Sequence, residues 1–289
     1  MAAASETVRP KRGLHWSRRL LSVIGWGLSG GALALLSLLL LSILATVFVR
    51  GWSALSLQLL TTVTVGNRGG LLNAIEGTLV LAAGSLILAV PLGVAAGIYV
   101  SEYHDGAWAA AIRFLADVLV GVPSIVLGYF GYVTMVEGLG WHFSVAAASI
   151  VLAIIAMPYI CRTTEFALRQ VPPDLREAAY ALGTDDRRVI LRICVPAALP
   201  GILTGILLAL AISVGETAPL LYTAGWSGYL WDGRLTHSPI GYLTYAVFTF
   251  INEPFAAANA LAYAAAFLVT GFVLAINLLG RFVLDRGRE

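Results

Sequence analysis

Val171–Pro196 reads VPPDLREAAYALGTDDRRVILRICVP, and the punctuation of this polar stretch, with what flanks it, decides the fold. Pro172 and Pro173 stop the preceding helix, because a proline ring offers no N–H and clashes with the turn before it. Asp174 stands three residues before Glu177, the spacing of an N-cap whose carboxylate partner returns to the first turn. Leu175–Leu182 carries good helix formers, and Gly183 follows where a left-handed residue ends a helix. Thr184 is placed to cap a second short helix. Asp185 and Asp186 suit its positive N-terminus, and Arg187, Arg188 and Arg192 its other end. The stretch thus predicts two short helices around a glycine bend, either a solvated loop or a knob for a partner. On its two sides lie Gly138–Cys161 and Ile193–Gly215, free of Asp, Glu, Lys and Arg and long enough for the ~20 apolar residues that cross a bilayer.

Working outward, four more such runs are found: Leu20–Val49, Gly77–Ser101, Val118–Val136 (with Phe114–Ala116 extending it ahead of Asp117) and Pro254–Gly280. Backbone groups in lipid must be satisfied within the segment, so these six spans are helices. The first is too long for a signal-peptide core and has no A-x-A site after it, so it is read as a retained span. Only 12% of the 289 residues are charged against 59% hydrophobic, about half the charged share of a soluble domain. That excludes a soluble enzyme, a disordered chain and a disulfide scaffold. The single lysine, Lys11, has no glycine-rich loop before it, so the chain has no P-loop of its own. Cys161, Cys194 and four scattered histidines show no metal or hydrolase spacing. Fifteen of the 18 Lys and Arg residues fall on one side of the six spans, leaving Arg50, Arg68 and Arg234 on the other. The richer side is therefore expected to be cytoplasmic, together with both termini. The expected organisation is a tail over 1–19, a first span over 20–49, a five-helix core over 73–281 with its polar loop at 171–195, and a tail over 282–289. Gly93-x-x-x-Gly97 and Gly201-x-x-x-Gly205 are small-residue faces for close helix approach. The external stretch Thr223–Glu253, with Trp226, Tyr229, Trp231, Tyr242 and Tyr245, suits an interfacial aromatic belt.

Glu177-Ala178-Ala179, then Gly183, then nine residues, then Ile193-x-Val195-Pro196 resembles the EAA loop of ABC importer permeases, with only Val195 departing, for leucine. Asp117–Val126, Arg162-Thr163-Thr164-Glu165 with Val171-Pro172, Gly201–Gly205 and Gly215–Leu221 are similar to elements of the phosphate-specific importer permeases, the A-type more than the C-type. The resemblance covers roughly Asn73 to Arg281. It implies an all-α polytopic membrane protein of the type I ABC importer permease fold in a bacterial plasma membrane. It also implies partners: a homologous permease (PstC type), a cytoplasmic ATPase dimer (PstB type) that binds the ATP and magnesium, and an external phosphate-binding protein (PstS type). No cofactor, metal or catalytic residue is expected in this chain. Glu177, Ala178, Ala179, Gly183 and Asp185 would form the coupling surface for the ATPase.

For the substrate path the candidates are Arg162, Glu165, Ser124, Glu216 and Thr217. An anion at membrane depth needs cations, hydroxyls or helix N-termini, and charges there merit a functional reading. Arg162 and Glu165, three residues apart, share a helix face and either pass phosphate on or form an interfacial anchor. Ser124 after Pro123 either lines the path or bonds back to its own helix. Asp117 is expected to cap a helix at the cytoplasmic interface. Glu216 lies about 20 residues and so ~30 Å beyond Pro196, at the outer mouth, either as a gate or as a packing carboxylate. The resemblance also implies an arginine where Ile212 stands, so one anion-attracting charge is missing. Alternatives are a permease for another oxyanion, such as molybdate or sulfate, and an ion-coupled secondary transporter, for which the spans carry almost no acidic residues.

Overall fold

The computed structural model describes residues 14–286, with side chains from 18 to 281; most of the two expected tails lies outside them. The chain divides into two units, residues 1–49 and 50–289. The first consists, where described, of most of helix α1 (Leu14–Ala54), whose large apolar side chains from Leu20 to Leu44 are exposed, as suits a helix whose solvent is lipid. In the second, α2 (Leu57–Thr61) and a hairpin of β1 (Thr64–Val65) and β2 (Arg68–Gly69) precede α3 (Leu72–Glu102). Then come α4 (Ala107–Gly121), α5 (Ser124–Gly131), a π-helical segment Tyr132–Gly138 and α6 (Val145–Arg169). The polar elbow holds α7 (Pro173–Ala181) and α8 (Asp186–Val189), then a π-helical segment Ile190–Cys194. The chain closes with α9 (Val195–Gly215), α10 (Leu220–Thr223), α11 (Leu243–Phe250) and α12 (Ala256–Arg286). Among the described residues, five helices are long and apolar enough to cross a membrane, or six if the bent pair α4–α5 is one span.

The centre is α6, the most buried of these spans. The two small-residue faces both meet it. Gly93 and Gly97 of α3 face Ile160 and Thr164, and Gly201 and Gly205 of α9 face Ala167 and Thr163. The order of these contacts makes α3 parallel and α9 antiparallel to α6. A Cβ on Gly97 would stand 2.5 Å from the Thr164 Cβ, so only the missing side chain permits this approach. A second core joins Leu71 and Ala74 to Leu243, Phe250, Leu261 and Ala265. Buried Asn73 ties in the hairpin, accepting from Thr64 N (3.0 Å) and donating to Ser227 O (2.8 Å).

Three expectations need correction. The span Val118–Val136 is not one helix: α4 and α5 meet at 99°. Pro123 has no N–H to continue α4, and it holds Val122 extended (φ −76°, ψ 128°). Asp117 lies within α4 and caps nothing. Finally, the aromatics of 223–253 are not all a surface belt. Tyr242 is 1% exposed and Trp226 stacks on Tyr245 at 4.6 Å, because α11 folds this stretch back onto the bundle.

Candidate functional site

The elbow is built as the punctuation requires, with its caps shifted. Helix α7 starts at Pro173, with Pro172 in the N-cap position and Asp174 in the first turn. Asp174 is therefore not the cap; a proline at N1 has the right φ already and no N–H needing one. Gly183 adopts φ +76°. Its N–H donates to Tyr180 O (2.9 Å) and the Thr184 N–H to Ala179 O (3.3 Å), the paired bonds that satisfy the last carbonyls of a helix. A Cβ at this φ is strained, so the bend selects glycine. Asp185, not Thr184, occupies the next N-cap position. Glu177, Ala178, Gly183 and Asp185 are exposed together. Ala179 instead faces inward, packed with Leu168, Val189, Cys194 and Ala198. The π-helical turn after α8, with Val195 N–H donating to Ile190 O, follows from Pro196, which cannot donate to the carbonyl of Arg192.

At the same arginine-rich end, Glu165 has an 8% exposed side chain and three guanidinium neighbours. Arg113 Nε donates to it at 2.8 Å, Arg169 lies at 2.9 Å and Arg162 at 3.7 Å. The expected Arg162–Glu165 pair is thus the longest of the three. Arg162 also pairs with Asp117 and donates to Arg113 O at 3.4 Å. A buried carboxylate left without a partner is strongly destabilising, which explains the crowd of arginines. Three arginines against Glu165 and Asp117 leave one positive charge in excess, drawn from both α4 and α6. Arg113 also donates to Val100 O (2.8 Å) and His104 O (3.1 Å), carbonyls at and beyond the end of α3. Beside it, Arg176 of α7 holds Glu102 of α3 through two bonds of 2.7 and 2.9 Å.

At the opposite end, Ser124 and Glu216 are brought side by side, and Glu216 O accepts from Thr244 Oγ1 at 2.7 Å. Thr217 lines a neighbouring cleft of about 480 Å³ with Thr244, Asn252 and Thr270. A larger cleft, about 550 Å³, opens between α6 and α9 beside Thr163, Gln170 and Thr204. Thr163, Thr204 and Thr270 donate to carbonyls of their own helices at 2.8–2.9 Å, which leaves these three hydroxyls no proton for an anion. The candidate path residues therefore form two groups, Arg162 with Glu165 at one end and Ser124, Glu216 and Thr217 at the other.

A bent α4–α5 pair, a central helix gripped by two neighbours and a helix–glycine–helix elbow are a combination that can be compared with known proteins. Residues 89–288 match the family described as "Binding-protein-dependent transport system inner membrane component". The chain belongs to that family. It is 43% identical over 274 residues to the phosphate transport system permease protein PstA 2 of Mycobacterium bovis, covering 95% of this chain and 91% of that one. It is also 43% identical over 254 residues to PstA of Yersinia pestis, covering 86% and 85%. In fold it is similar to a chain of the bacterial alginate ABC transporter crystallised with its alginate pentasaccharide-bound periplasmic protein (TM-score 0.64, 14% identity, 94% and 97% coverage). As an inner membrane component of this family, the chain is a type I permease whose elbow and charge clusters are the features to explain.

Sequence reasoning missed Glu102 and the site roles of Arg113 and Asp117. A signal was present: Glu102 ends a long apolar run and Arg113 is the lone cation between two spans. Nothing local says that they reach α7 and α6.

Proposed function

We propose that this chain is the permease subunit of an ATP-driven phosphate importer, working with a homologous permease, a cytoplasmic ATPase pair and an external phosphate-binding protein. The observation that carries the reading is 43% identity along 95% of the chain to a phosphate transport system permease. The exposed Glu177–Gly183 elbow supports it as a surface for a separate ATPase. On this reading the arginine-rich end faces the cytoplasm, and ATP and magnesium belong to the partner. ATP binding closes the ATPase pair, the elbow takes up that motion, and the bundle alternates between inward- and outward-open forms by rigid-body movement. Arg162, in a cluster one positive charge in excess, assists the anion on its way out, and Glu165 holds or releases it. Ser124, Glu216 and Thr217 stand at the outer mouth, with the Glu216 carboxylate as a gate. With Ile212 where an arginine is expected, the partner permease supplies the remaining charge.

The test is uptake of labelled phosphate into proteoliposomes containing the four-component complex, with ATP or a non-hydrolysable analogue. ATP-dependent uptake that unlabelled phosphate suppresses, and molybdate or sulfate does not, is the expected result. Movement of phosphate by this chain alone down an ion gradient, or stronger suppression by another oxyanion, overturns the reading.

A further inference from the structure

The end of α3 is touched by two arginines from two different elements. From α7, Arg176 sets its guanidinium fork on the Glu102 carboxylate (2.7 and 2.9 Å), with 11% of the glutamate side chain exposed. A two-bond fork fixes orientation as well as distance, and a charged pair is about twice as strong as a neutral one. From α4, Arg113 donates to Val100 O and His104 O and carries its third contact to Glu165 of α6. Five residues, Val100 to His104, therefore lie between the elbow and the buried charge cluster. The covalent routes out of the elbow pass through irregular turns. Backwards, the chain passes the double proline before α6; forwards, it passes the Gly183 bend and a π-helical turn before α9. Such irregular turns yield more readily than a straight helix. Helix α3, by contrast, runs unbroken over Leu72–Glu102, and its part beyond Pro91 is locked to α6 through Gly93 and Gly97.

We propose that Glu102–Arg176 is a rigid transmission link: it fastens the coupling elbow to α3, so that displacement of α7 carries α3 and the Arg113–Glu165 contact with it. This rests on the importer reading, and the two are positioning residues that contact no substrate. Arg176 contributes to transport through Glu102, and Glu102 through the helix that it ends.

The experiment uses the reconstituted four-component complex with Glu102→Gln, Arg176→Gln and the exchange Glu102→Arg with Arg176→Glu. Each single variant is expected to co-purify with the ATPase and to keep hydrolysing ATP. Phosphate moved per ATP should fall about tenfold, within the range of typical site-to-site couplings, and the exchange should recover most of it. A second arm places cysteines at 102 and 176 in a Cys161→Ala, Cys194→Ala background and joins them with a short bis-maleimide. The unjoined pair should be uncoupled and the joined pair should transport. Wild-type stoichiometry in Glu102→Gln, loss of the ATPase from that variant, or transport blocked by the bridge overturns the link. Wild-type uptake of phosphate is the separate arm for the importer reading: where wild type transports and Glu102→Gln does equally well, only the link fails.

Discussion

The two ends of the same bundle are held in opposite ways. At the arginine-rich end, α3, α4, α6 and α7 are joined by ion pairs around Glu165 and Glu102. At the other, α9 and α11 meet through a neutral hydrogen bond and stacked rings, Thr244 to the Glu216 carbonyl and Trp226 on Tyr245, with Ser124 of α5 beside Glu216. Charged contacts are strong, directional and costly to leave half-made, so an end built from them moves between discrete arrangements. Hydroxyl contacts are individually worth about 1 kcal/mol and exchange easily with a passing solute. The contrast suits a bundle driven from one end and loaded at the other.

The comparison breaks first at Arg113. Arg113→Ala removes the nearest partner of buried Glu165 and should destabilise the subunit by about 3 kcal/mol, read as a lowered midpoint of thermal unfolding in detergent; an unchanged midpoint would erase the contrast. Next is the helix contact beneath the cluster. Gly97→Val should cost about 2 kcal/mol by overpacking against Thr164, with a visible loss of folded protein on gel filtration. Gly183→Val should cost about 1–2 kcal/mol through its left-handed φ, while leaving the bundle intact: the complex assembles but transports more slowly, and wild-type uptake would count against the elbow as a moving part. Smallest is Thr244→Val at the other end, which loses the hydroxyl bond to the Glu216 carbonyl and is expected to cost about 1 kcal/mol by the same unfolding assay. If it equals Arg113→Ala, the two ends are not held differently after all.

Much of the elbow was readable before any coordinates. Gly183, the prolines and the alternation of short helices follow from backbone rules that act within a few residues, and the shifts from Asp174 and Thr184 to Pro172 and Asp185 are errors of one or two positions. The spans were readable for the same reason, since ~20 apolar residues have one solution in lipid. The sharpness of the kink at Pro123 was not legible because hydropathy is blind to direction: the run from Val118 to Val136 is apolar whether straight or bent by 99°. The pairing of Glu165 was read only in part, because helix periodicity sees only partners on its own helix. It pointed to Arg162, which does pair at 3.7 Å, whereas Arg113, 52 residues back, is closer in space.

By itself, then, the amino-acid order determined a lipid-embedded all-α bundle, the glycine-hinged elbow and the small-residue stripes, because each depends on local sterics or on transfer of apolar groups from water. Only the tertiary structure decided that both stripes grip α6, that Ser124 meets Glu216, and that Arg176 and Arg113 converge on the end of α3. Those contacts join residues far apart in the chain, and their partners are selected by how helices cross, a quantity no spacing along one helix encodes.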